Sequence, residues 1–195
     1  MAGSPGTLRV LCLCSANRCR SPMAAGLLIT RLGPSAGVEV TSAGFGPAGE
    51  PVLPEAARVM SELGIDIGDH RSRTVTPEMI VASGLAVTMT ATQAVEALAM
   101  APEAWTRVYP IAELVRRGRL QSAPAPGQDL QDWLRTVAAE RTPAELLGAE
   151  RRYDIRDPTG GPLRGFRHTR DLLAAALDPL ADWLSAAGSR PGERS

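Results

Sequence analysis

The segment from Leu8 to Pro22 constrains this chain more than any other part of its sequence. It starts with an apolar run, Leu8–Leu13, that predicts a buried strand, and it ends at a proline suited to opening a helix. Cys14 and Arg20, with five residues between them, lie in the turn between strand and helix. The backbone N–H groups of such a loop and the positive helix end can surround a tetrahedral oxyanion. The segment therefore predicts an anion pocket with a cysteine at its base.

The residue types in this loop suit nucleophilic phosphoryl transfer. A cysteine attacks only as its thiolate, which the helix N-terminus, the amides and the Arg20 guanidinium all favour. Arg20 would also neutralise charge on the transferred group. Ser21 is placed to donate to the thiolate, and Asn17 to tie the loop to its neighbours. The alternative is that Cys14 is a small buried hydrophobic residue, as most free cysteines are. The arginines around this strand end disfavour that alternative.

A second motif, near the other end of the chain, offers a proton donor. Pro158 biases Asp157 away from helical geometry, and Gly160 and Gly161 permit a turn after it. Asp157 is placed to protonate the leaving oxygen and later to deprotonate the hydrolytic water. Asp154 is the competing carboxylate, but no proline follows it. An Asp-Pro pair alone also starts many ordinary loops, and it gains meaning from the cysteine loop.

The chain resembles the low-molecular-weight protein tyrosine phosphatase family, which carries a Cys-x5-Arg-Ser loop near its N-terminus and an Asp-Pro loop near its C-terminus. The resemblance covers residues 8–115 and 153–185. It implies Cys14 as nucleophile, Arg20 with Ser21 as its supports, and Asp157 as general acid. It also implies that Cys19 can form a reversible disulfide with Cys14, which would protect the nucleophile from overoxidation. The predicted phosphate-binding loop comprises Ser15, Ala16, Asn17 (as loop organiser), Arg18, Cys19 and Ser21. Further matching stretches, in chain order, are residues 40–44, 50–51, 64–66, 70–73 and 85–90.

Three positions depart from the family pattern. Arg18 stands where the family usually has an apolar residue, or threonine in its phosphoarginine-directed branch. Thr159 replaces the tyrosine that often follows the Asp-Pro pair, and the loop of residues 45–49 lacks the family's frequent tryptophan. Since aromatic walls grip a phosphotyrosine ring, Phe45 and Thr159 are the predicted substrate rim. Arg18 either reaches this rim, where it would attract a second anionic group of the substrate, or points into solvent.

The alternation of predicted strands and helices indicates an α/β fold, a doubly wound three-layer sandwich with a four-stranded parallel sheet. Its functional residues should lie at the carboxyl ends of the strands. The predicted strands are Leu8–Leu13, Val38–Ser42, Leu85–Met89 and Arg107–Tyr109. The predicted helices are Pro22–Leu32, Pro54–Leu63, Pro77–Ala82, Thr92–Ala99, Ile111–Arg117 and Leu163–Ala187.

One domain is predicted over residues 8–187, between mobile tails at 1–7 and 188–195. Residues 118–152 are interpreted as an insertion with a Pro/Gly-rich loop and a helix, Asp129–Glu140, that carries Trp133. Its place before the Asp157 loop suggests a lid or specificity element, and a plain surface helical hairpin is the equal alternative.

Composition points away from several classes of protein. Lys+Arg and Asp+Glu number 21 each, so no net charge favours nucleic acid or an acidic membrane as partner. The sequence has no run long enough to span a bilayer and no signal-peptide core. Three cysteines, all within 12–19, cannot form a disulfide scaffold and fit a reducing, cytoplasmic compartment. His70 and His168 are too few and too scattered for a metal site, and no cofactor is expected.

The sequence thus predicts a metal-independent phosphomonoester hydrolase that forms a cysteinyl-phosphate, with protein phosphotyrosine as default substrate and a small phosphomonoester as the other kind of partner. An arsenate reductase on the same fold is the nearest alternative, but it needs a relay of further cysteines, and none follows Cys19. A phosphocysteine carrier would not need Asp157. The remaining alternatives are a phospho-ligand binding module with little catalysis and a phosphatase for an anionic small molecule.

Overall fold

A four-stranded parallel sheet organises the protein. The computed structural model describes residues 7–34, 37–148 and 154–188. The strands are β1 (Leu8–Cys14), β2 (Val38–Gly44), β3 (Leu85–Thr88) and β4 (Val108–Pro110), in the order β2-β1-β3-β4. All neighbours pair in parallel, and Cys14 lies opposite Gly44 at the carboxyl end of the central strand β1. This end is where a parallel α/β sheet places its ligands.

Helices cover both faces of the sheet, which confirms the predicted three-layer α/β sandwich. Alternate residues of β1 point to opposite sides, so that Val10 and Cys12 join one buried apolar cluster and Leu11 and Leu13 join the other. The helices are α1 (Arg20–Leu32), α2 (Pro54–Ser61), α3 (Pro77–Ala82), α4 (Ala91–Met100), α5 (Ile111–Leu120), α6 (Leu130–Ala138), α7 (Pro143–Leu147) and α8 (Leu163–Gly188).

Helix α1 begins at Arg20, two residues before the predicted start at Pro22. A proline fits the third position of a helix because the N–H groups of the first turn have no intrahelical partner to lose. The consequence is that Arg20 and Ser21 belong to the helix, which fixes both side chains relative to β1. The sequence did not predict α7 or the 3₁₀ turn Pro102–Ala104. Residues 1–6 and 189–195, most of the predicted tails, lie outside the described residues, whereas Gly188 ends α8.

The described part of segment 118–152 is built into the core. Trp133 of α6 is 2 % exposed, and its ring lies 5.1 Å from that of Trp183 on α8. Gln131 Nε2 donates to the carbonyl of Gly84 at 2.6 Å, just before β3 begins. Gly84 lies at the amino end of the strands, whereas Cys14 lies at their carboxyl end, so α6 is not a lid over the cysteine loop. Because Trp133 is buried, α6 is not a plain surface hairpin either. Both interpretations are wrong for this helix. The insertion itself stays a prediction.

A buried ion pair fastens this segment to the rest of the fold. The Arg141 side chain is fully buried and donates to both carboxylate oxygens of Glu113, at 2.8 and 3.0 Å. Its guanidinium also donates to the Trp105 carbonyl and lies over the rings of Trp105 and Tyr109. No helix in the described ranges is both long and apolar enough to cross a membrane.

Candidate active site

Cys14 ends β1 with its sulfur facing the first turn of α1. Its Sγ lies 3.0 Å from Ser21 Oγ, and Asn17 Nδ2 donates to the same hydroxyl at 2.9 Å. The serine oxygen accepts from Asn17, and its one hydrogen can go to the sulfur or to the Ala43 carbonyl oxygen at 3.3 Å. A hydroxyl donor at this position stabilises a thiolate and aids its departure as a leaving group. No side chain among the described residues caps the N-terminus of α1, which leaves its positive end facing the loop.

Asn17 shapes the loop from a left-handed backbone conformation, with φ of 53°. Asparagine tolerates this region better than most residues. The residue is fully buried, and every polar group of its side chain is used. Besides Ser21, its amide donates to Ser42 Oγ at 2.9 Å, and its Oδ1 accepts from Arg73 N at 2.9 Å. The role of loop organiser, implied by the resemblance, matches this geometry.

His70 supports the same residue from outside the loop. Its Nε2 lies 2.7 Å from the Asn17 carbonyl oxygen, which can only accept, so Nε2 carries the proton. Burial lowers the pKa of His70, and the nearby Arg73 and Arg71 charges add to this, against the opposing effect of the bond to Asn17. Arg73 in turn donates through its guanidinium to the Ser42 carbonyl, at 3.1 and 2.7 Å. His70 and Arg73, which are distant from the cysteine loop in the sequence, thereby hold it in place.

Gly44, at the end of β2, lets the cysteine loop pack directly against the neighbouring strand. A Cβ at this position would lie 2.7 Å from Asn17 N, 2.8 Å from the Cys14 oxygen and 3.0 Å from the Ala16 carbonyl carbon. All three atoms are backbone, which cannot swing aside. Two residues on, a Cβ at Gly46 would meet nothing nearer than 3.3 Å.

Arg20 connects the cysteine loop with the Asp157 loop across the pocket. It is 3 % exposed, and it donates from Nη1 to the Ile155 carbonyl at 3.1 Å and from Nη2 to Asp157 Oδ2 at 2.5 Å. Nη2 also lies 3.4 Å from Ser15 Oγ. Within the described part of the chain, Arg20 Nε is buried with no hydrogen-bond partner. Arg107 Nε is buried without a partner as well, and what sets Arg20 apart is its contact with both the cysteine loop and Asp157.

The pKa of Asp157 lies below its usual value. Partial burial acts against this, but hydrogen bonds from Thr159 and the positive charge of Arg20 outweigh it. Both the backbone N–H and the hydroxyl of Thr159 donate to Asp157 Oδ1, at 3.1 and 2.6 Å. Asp154, the competing carboxylate, instead accepts from the Ala91 N–H at the start of α4 and is occupied there.

Three comparisons with known proteins agree with this geometry. A family model described as "Low molecular weight phosphotyrosine protein phosphatase" matches residues 9–140. The chain belongs to this family. The match continues into segment 118–152, whereas the resemblance seen in the sequence covered residues 8–115 and 153–185 and left this segment out.

Individual relatives of this phosphatase family differ in their named substrates. The chain is 32 % identical over 177 residues to a protein-arginine-phosphatase of Geobacillus stearothermophilus, covering 90 % of this chain and 95 % of that one. It is 38 % identical over 106 residues to a probable protein-tyrosine-phosphatase, EpsP, of Ralstonia solanacearum, which covers 54 % and 71 %. Arsenate reductase 1 of Staphylococcus epidermidis is 39 % identical over 77 residues, 40 % of this chain and 55 % of the relative. The crystal structure of the T. tengcongensis tyrosine phosphatase superposes with a TM-score of 0.67 at 29 % identity, covering 90 % and 99 %.

The residues predicted for the substrate rim are engaged with the protein itself. Arg18 Nε donates to the Pro51 carbonyl at 2.8 Å, and Nη1 lies 3.8 Å from Glu50. Its charge is therefore neither free at the rim nor free in solvent. The half-buried Phe45 packs on the apolar cluster that contains Leu11 and Leu13, and Thr159 is bonded to Asp157.

The cysteines flanking the nucleophile are buried thiols. Burial raises the pKa of both Cys12 and Cys19 to about 12, and Cys19 Sγ lies 3.8 Å from Met23 Sδ. All three cysteines are free, and the redox pairing of Cys14 with Cys19 stays a prediction. Across the described ranges, no three His, Cys, Asp or Glu side chains lie close enough together to hold a metal ion.

Sequence reasoning missed four residues that the structure brings to the site. Ser42, His70 and Arg73 hold Asn17, and Gln93 contacts Ser15. Ser42, His70 and Arg73 lie in stretches matched to the family pattern, which was the one available signal. Gln93 carried no signal at all, because nothing near it in the sequence suggests the loop that it contacts.

Proposed function

We propose that this protein hydrolyses phosphomonoesters through a cysteinyl-phosphate intermediate, without a metal ion, and that protein phosphotyrosine is its default substrate. The observation that carries the proposal is the buried Arg20 guanidinium, whose Nε has no hydrogen-bond partner among the described residues and whose Nη2 lies between Ser15 of the cysteine loop and Asp157. A dianionic phosphoryl group, bound over the sulfur, supplies the acceptor that Nε lacks.

In the first chemical step, the Cys14 thiolate attacks the phosphorus and forms the S–P bond. The bond from phosphorus to the ester oxygen breaks, and Asp157 gives that oxygen its proton. Arg20 and the N–H groups around the loop balance the charge on the three phosphoryl oxygens. Asp157 Oδ2 accepts from the Arg20 guanidinium, and this neighbourhood supports the proposal that Asp157 is the acid.

In the second step, Asp157 as carboxylate takes a proton from a water molecule whose oxygen attacks the phosphorus. The S–P bond breaks, the electron pair returns to Cys14 as thiolate, and inorganic phosphate leaves. Ser21 donates to that sulfur and so stabilises it as a leaving group. One carboxyl thus serves as acid and then as base.

Substrate binding prepares Asp157 for its role as acid. Together with the hydrogen bonds from Thr159, Arg20 holds the pKa of this carboxyl below its usual value. An arriving phosphoryl dianion accepts from the guanidinium in its place and brings a negative charge beside the carboxylate. Both changes raise the pKa of Asp157. The carboxyl therefore binds a proton when the ester oxygen that needs it is present.

Phosphotyrosine remains the default because the family model and the EpsP relative bear that name. The similarity to a protein-arginine-phosphatase over nearly the whole chain makes phosphoarginine the competing amino acid. Hydrolysis of matched peptides that carry phosphotyrosine, phosphoserine or phosphoarginine, compared by kcat/KM, decides between them. Preference for phosphoarginine, or for a small sugar phosphate over every peptide, would overturn the default.

Arsenate reduction is disfavoured by the cysteine count. After arsenate binds Cys14, its reduction needs two electrons from thiols, and no cysteine follows Cys19 in this sequence. Turnover of arsenate by the purified protein with a thiol reductant, measured as arsenite released, tests the alternative. We expect no release above that of a Cys14→Ser variant.

The deciding experiment is hydrolysis of para-nitrophenyl phosphate in the presence of EDTA. Cys14→Ser should abolish turnover, and Asp157→Ala should lower kcat by about 100-fold or more, the contribution of one general acid. Asp154→Ala is the matched control, because it removes a carboxylate from the same loop that contacts α4 instead of the pocket. We expect the control to keep activity within about threefold. Vanadate binding without turnover by the reduced wild type would point to a binding module instead.

We further propose that the protein works in the cytoplasm, on phosphorylated proteins, with neither nucleic acid nor membranes as partners. Its three free cysteines support a reducing compartment. Recovery of the tagged protein with the membrane or periplasmic fraction of its host would contradict this.

A further inference from the structure

Five residues close a ring of hydrogen bonds along one wall of the pocket. Arg20 Nη1 donates to the Ile155 carbonyl at 3.1 Å, and the Ile155 N–H donates to the Met89 carbonyl at 2.9 Å. The Met89 N–H then donates to Gln93 Oε1 at 3.1 Å, and Gln93 Nε2 donates to Ser15 Oγ at 3.0 Å. Arg20 Nη2, 3.4 Å from the same hydroxyl, completes the ring. The cysteine loop, the acid loop and the end of β3 are joined through it.

Gln93 is one of the ring members to which the phosphatase mechanism gives no part. It lies on α4, is 5 % exposed, and engages both ends of its amide. Burying an amide is costly unless its hydrogen bonds are made. The Oε1 bond satisfies a buried backbone N–H, which is a structural task. The Nε2 bond reaches the first residue after the nucleophile, which suggests a functional one.

The arrangement fixes where the Ser15 hydroxyl hydrogen points. A hydroxyl has two acceptor lone pairs and one hydrogen to donate. Gln93 and Arg20 both donate to Ser15 Oγ, so both lone pairs are occupied and the hydrogen must go elsewhere. Ser15 is exposed, and the Arg20 nitrogen beside it also contacts Asp157, so the hydroxyl borders the open phosphoryl site.

We propose that Gln93 is a positioning residue for phosphoryl transfer. By occupying one lone pair of Ser15 Oγ, it directs the Ser15 hydrogen to an oxygen of the bound phosphoryl group. Ser15 thereby adds a side-chain donor to the amides and the guanidinium that hold the transition state. This inference rests on the proposed function, because it assigns Gln93 a part in that reaction.

The test is a double-mutant cycle of Gln93→Met and Ser15→Ala in the full chain. The readouts are kcat/KM for para-nitrophenyl phosphate and the dissociation constant of vanadate, which occupies the phosphoryl site. One hydrogen bond to a charged group corresponds to about 10- to 100-fold in either quantity. We expect Ser15→Ala to cost that much and Gln93→Met about 10-fold. In the Ser15→Ala background, Gln93→Met should change neither quantity by more than about twofold.

Protein stability separates this role from a merely structural one. Gln93→Met leaves the Met89 N–H without its acceptor in both backgrounds, so it lowers the unfolding midpoint in urea in both, and by less where the Ser15 hydroxyl is already absent. Gln131→Met is the matched control, because it also removes a side-chain amide bond, at the opposite edge of the sheet. It should lower stability and leave kcat/KM unchanged.

Two results would overturn the inference. One is an unchanged kcat/KM and vanadate affinity in Gln93→Met. The other is an equal loss in the presence and absence of the Ser15 hydroxyl, which would show that Gln93 acts by another route. If the wild type hydrolyses no phosphomonoester, the proposed function fails, and the vanadate cycle still decides whether Gln93 positions an oxyanion donor.

Discussion

Replacing Gly44 by alanine tests the idea that the strand end shapes the cysteine loop. The backbone of Gly44 is in a conformation that any residue adopts, so no strain arises from φ. The obstacle is contact alone. The new Cβ would lie 2.7 Å from Asn17 N and 2.8 Å from the Cys14 oxygen, where ordinary contact begins at 3.4 Å. The loop must therefore move away from β2 by about 0.7 Å to bring the 2.7 Å contact to 3.4 Å. A misplacement of about 1 Å costs on the order of 100-fold in rate, so we expect kcat/KM to fall about 10- to 100-fold.

Gly46→Ala is the matched control, two residues further along the same segment. Its Cβ would lie 3.3 Å from the Ser15 oxygen and 3.4 Å from Ala16 Cα, which small adjustments accommodate. We expect its kcat/KM for para-nitrophenyl phosphate to stay within about threefold of wild type. Overpacking should lower the unfolding free energy of Gly44→Ala in urea by about 1–3 kcal/mol and leave the protein folded. A folded Gly44→Ala protein with the wild-type kcat/KM would refute the reasoning that this close approach sets the loop geometry.

Three further predictions concern single side chains. Thr159→Val removes one hydrogen bond to the Asp157 carboxylate and so raises its pKa; because Asp157 must be protonated to act, the basic limb of the kcat/KM profile should move up by as much as about 1 pH unit. The lowered pKa of His70 means that the unfolded chain takes up a proton before the folded protein does. The unfolding free energy of the wild type should thus decrease as the pH is lowered below about 6.5. In urea titrations, the unfolding free energy of His70→Gln should depend less on pH in this range. An equal pH dependence in the two proteins would argue against His70 as its cause. Arg141→Met should lower the unfolding free energy in urea by about 2–4 kcal/mol. The loss is smaller than for a buried charge left with no partner, because Arg117 still contacts Glu113. The kcat/KM of this variant should not change; a loss of activity in the folded variant would mean that this ion pair reaches the site.

The local parts of the site could be predicted from the sequence, because the chemistry and the chain spacing coincide there. Cys14, Arg20 and Ser21 are close together in the sequence, within one strand–loop–helix segment. Such a segment can arrange their side chains in only a few ways. The Asp157-Pro158 pair also predicted its local backbone, which is non-helical at Asp157 and is followed by a turn. The contact of Asp157 with Arg20, by contrast, spans 137 residues of the chain and was not predicted.

The supports of the site were not predictable because their partners are remote. His70 and Gln93 contact the loop across 53 and 78 residues, so no local pattern marks them. Segment 118–152 shows a related failure. The apolar face of α6 was visible, but the sequence does not say which apolar surface it covers, and Trp183 on α8 supplied that surface. The start of α1 was misplaced because a proline suits any position in the first turn, not the first alone.

The anchoring of Asn17 has a thermodynamic consequence for recognition. A loop that orders around its ligand subtracts the entropy of ordering from the affinity, at about 1–2 kcal/mol for each backbone residue fixed. Here the left-handed turn is held by Ser42, His70 and Arg73, through bonds within the protein itself. The conformational entropy of this turn is lost when the chain folds, and not when a substrate binds. None of the free energy of substrate binding is then spent on ordering this turn. All of it is available for contacts that differ between one leaving group and another.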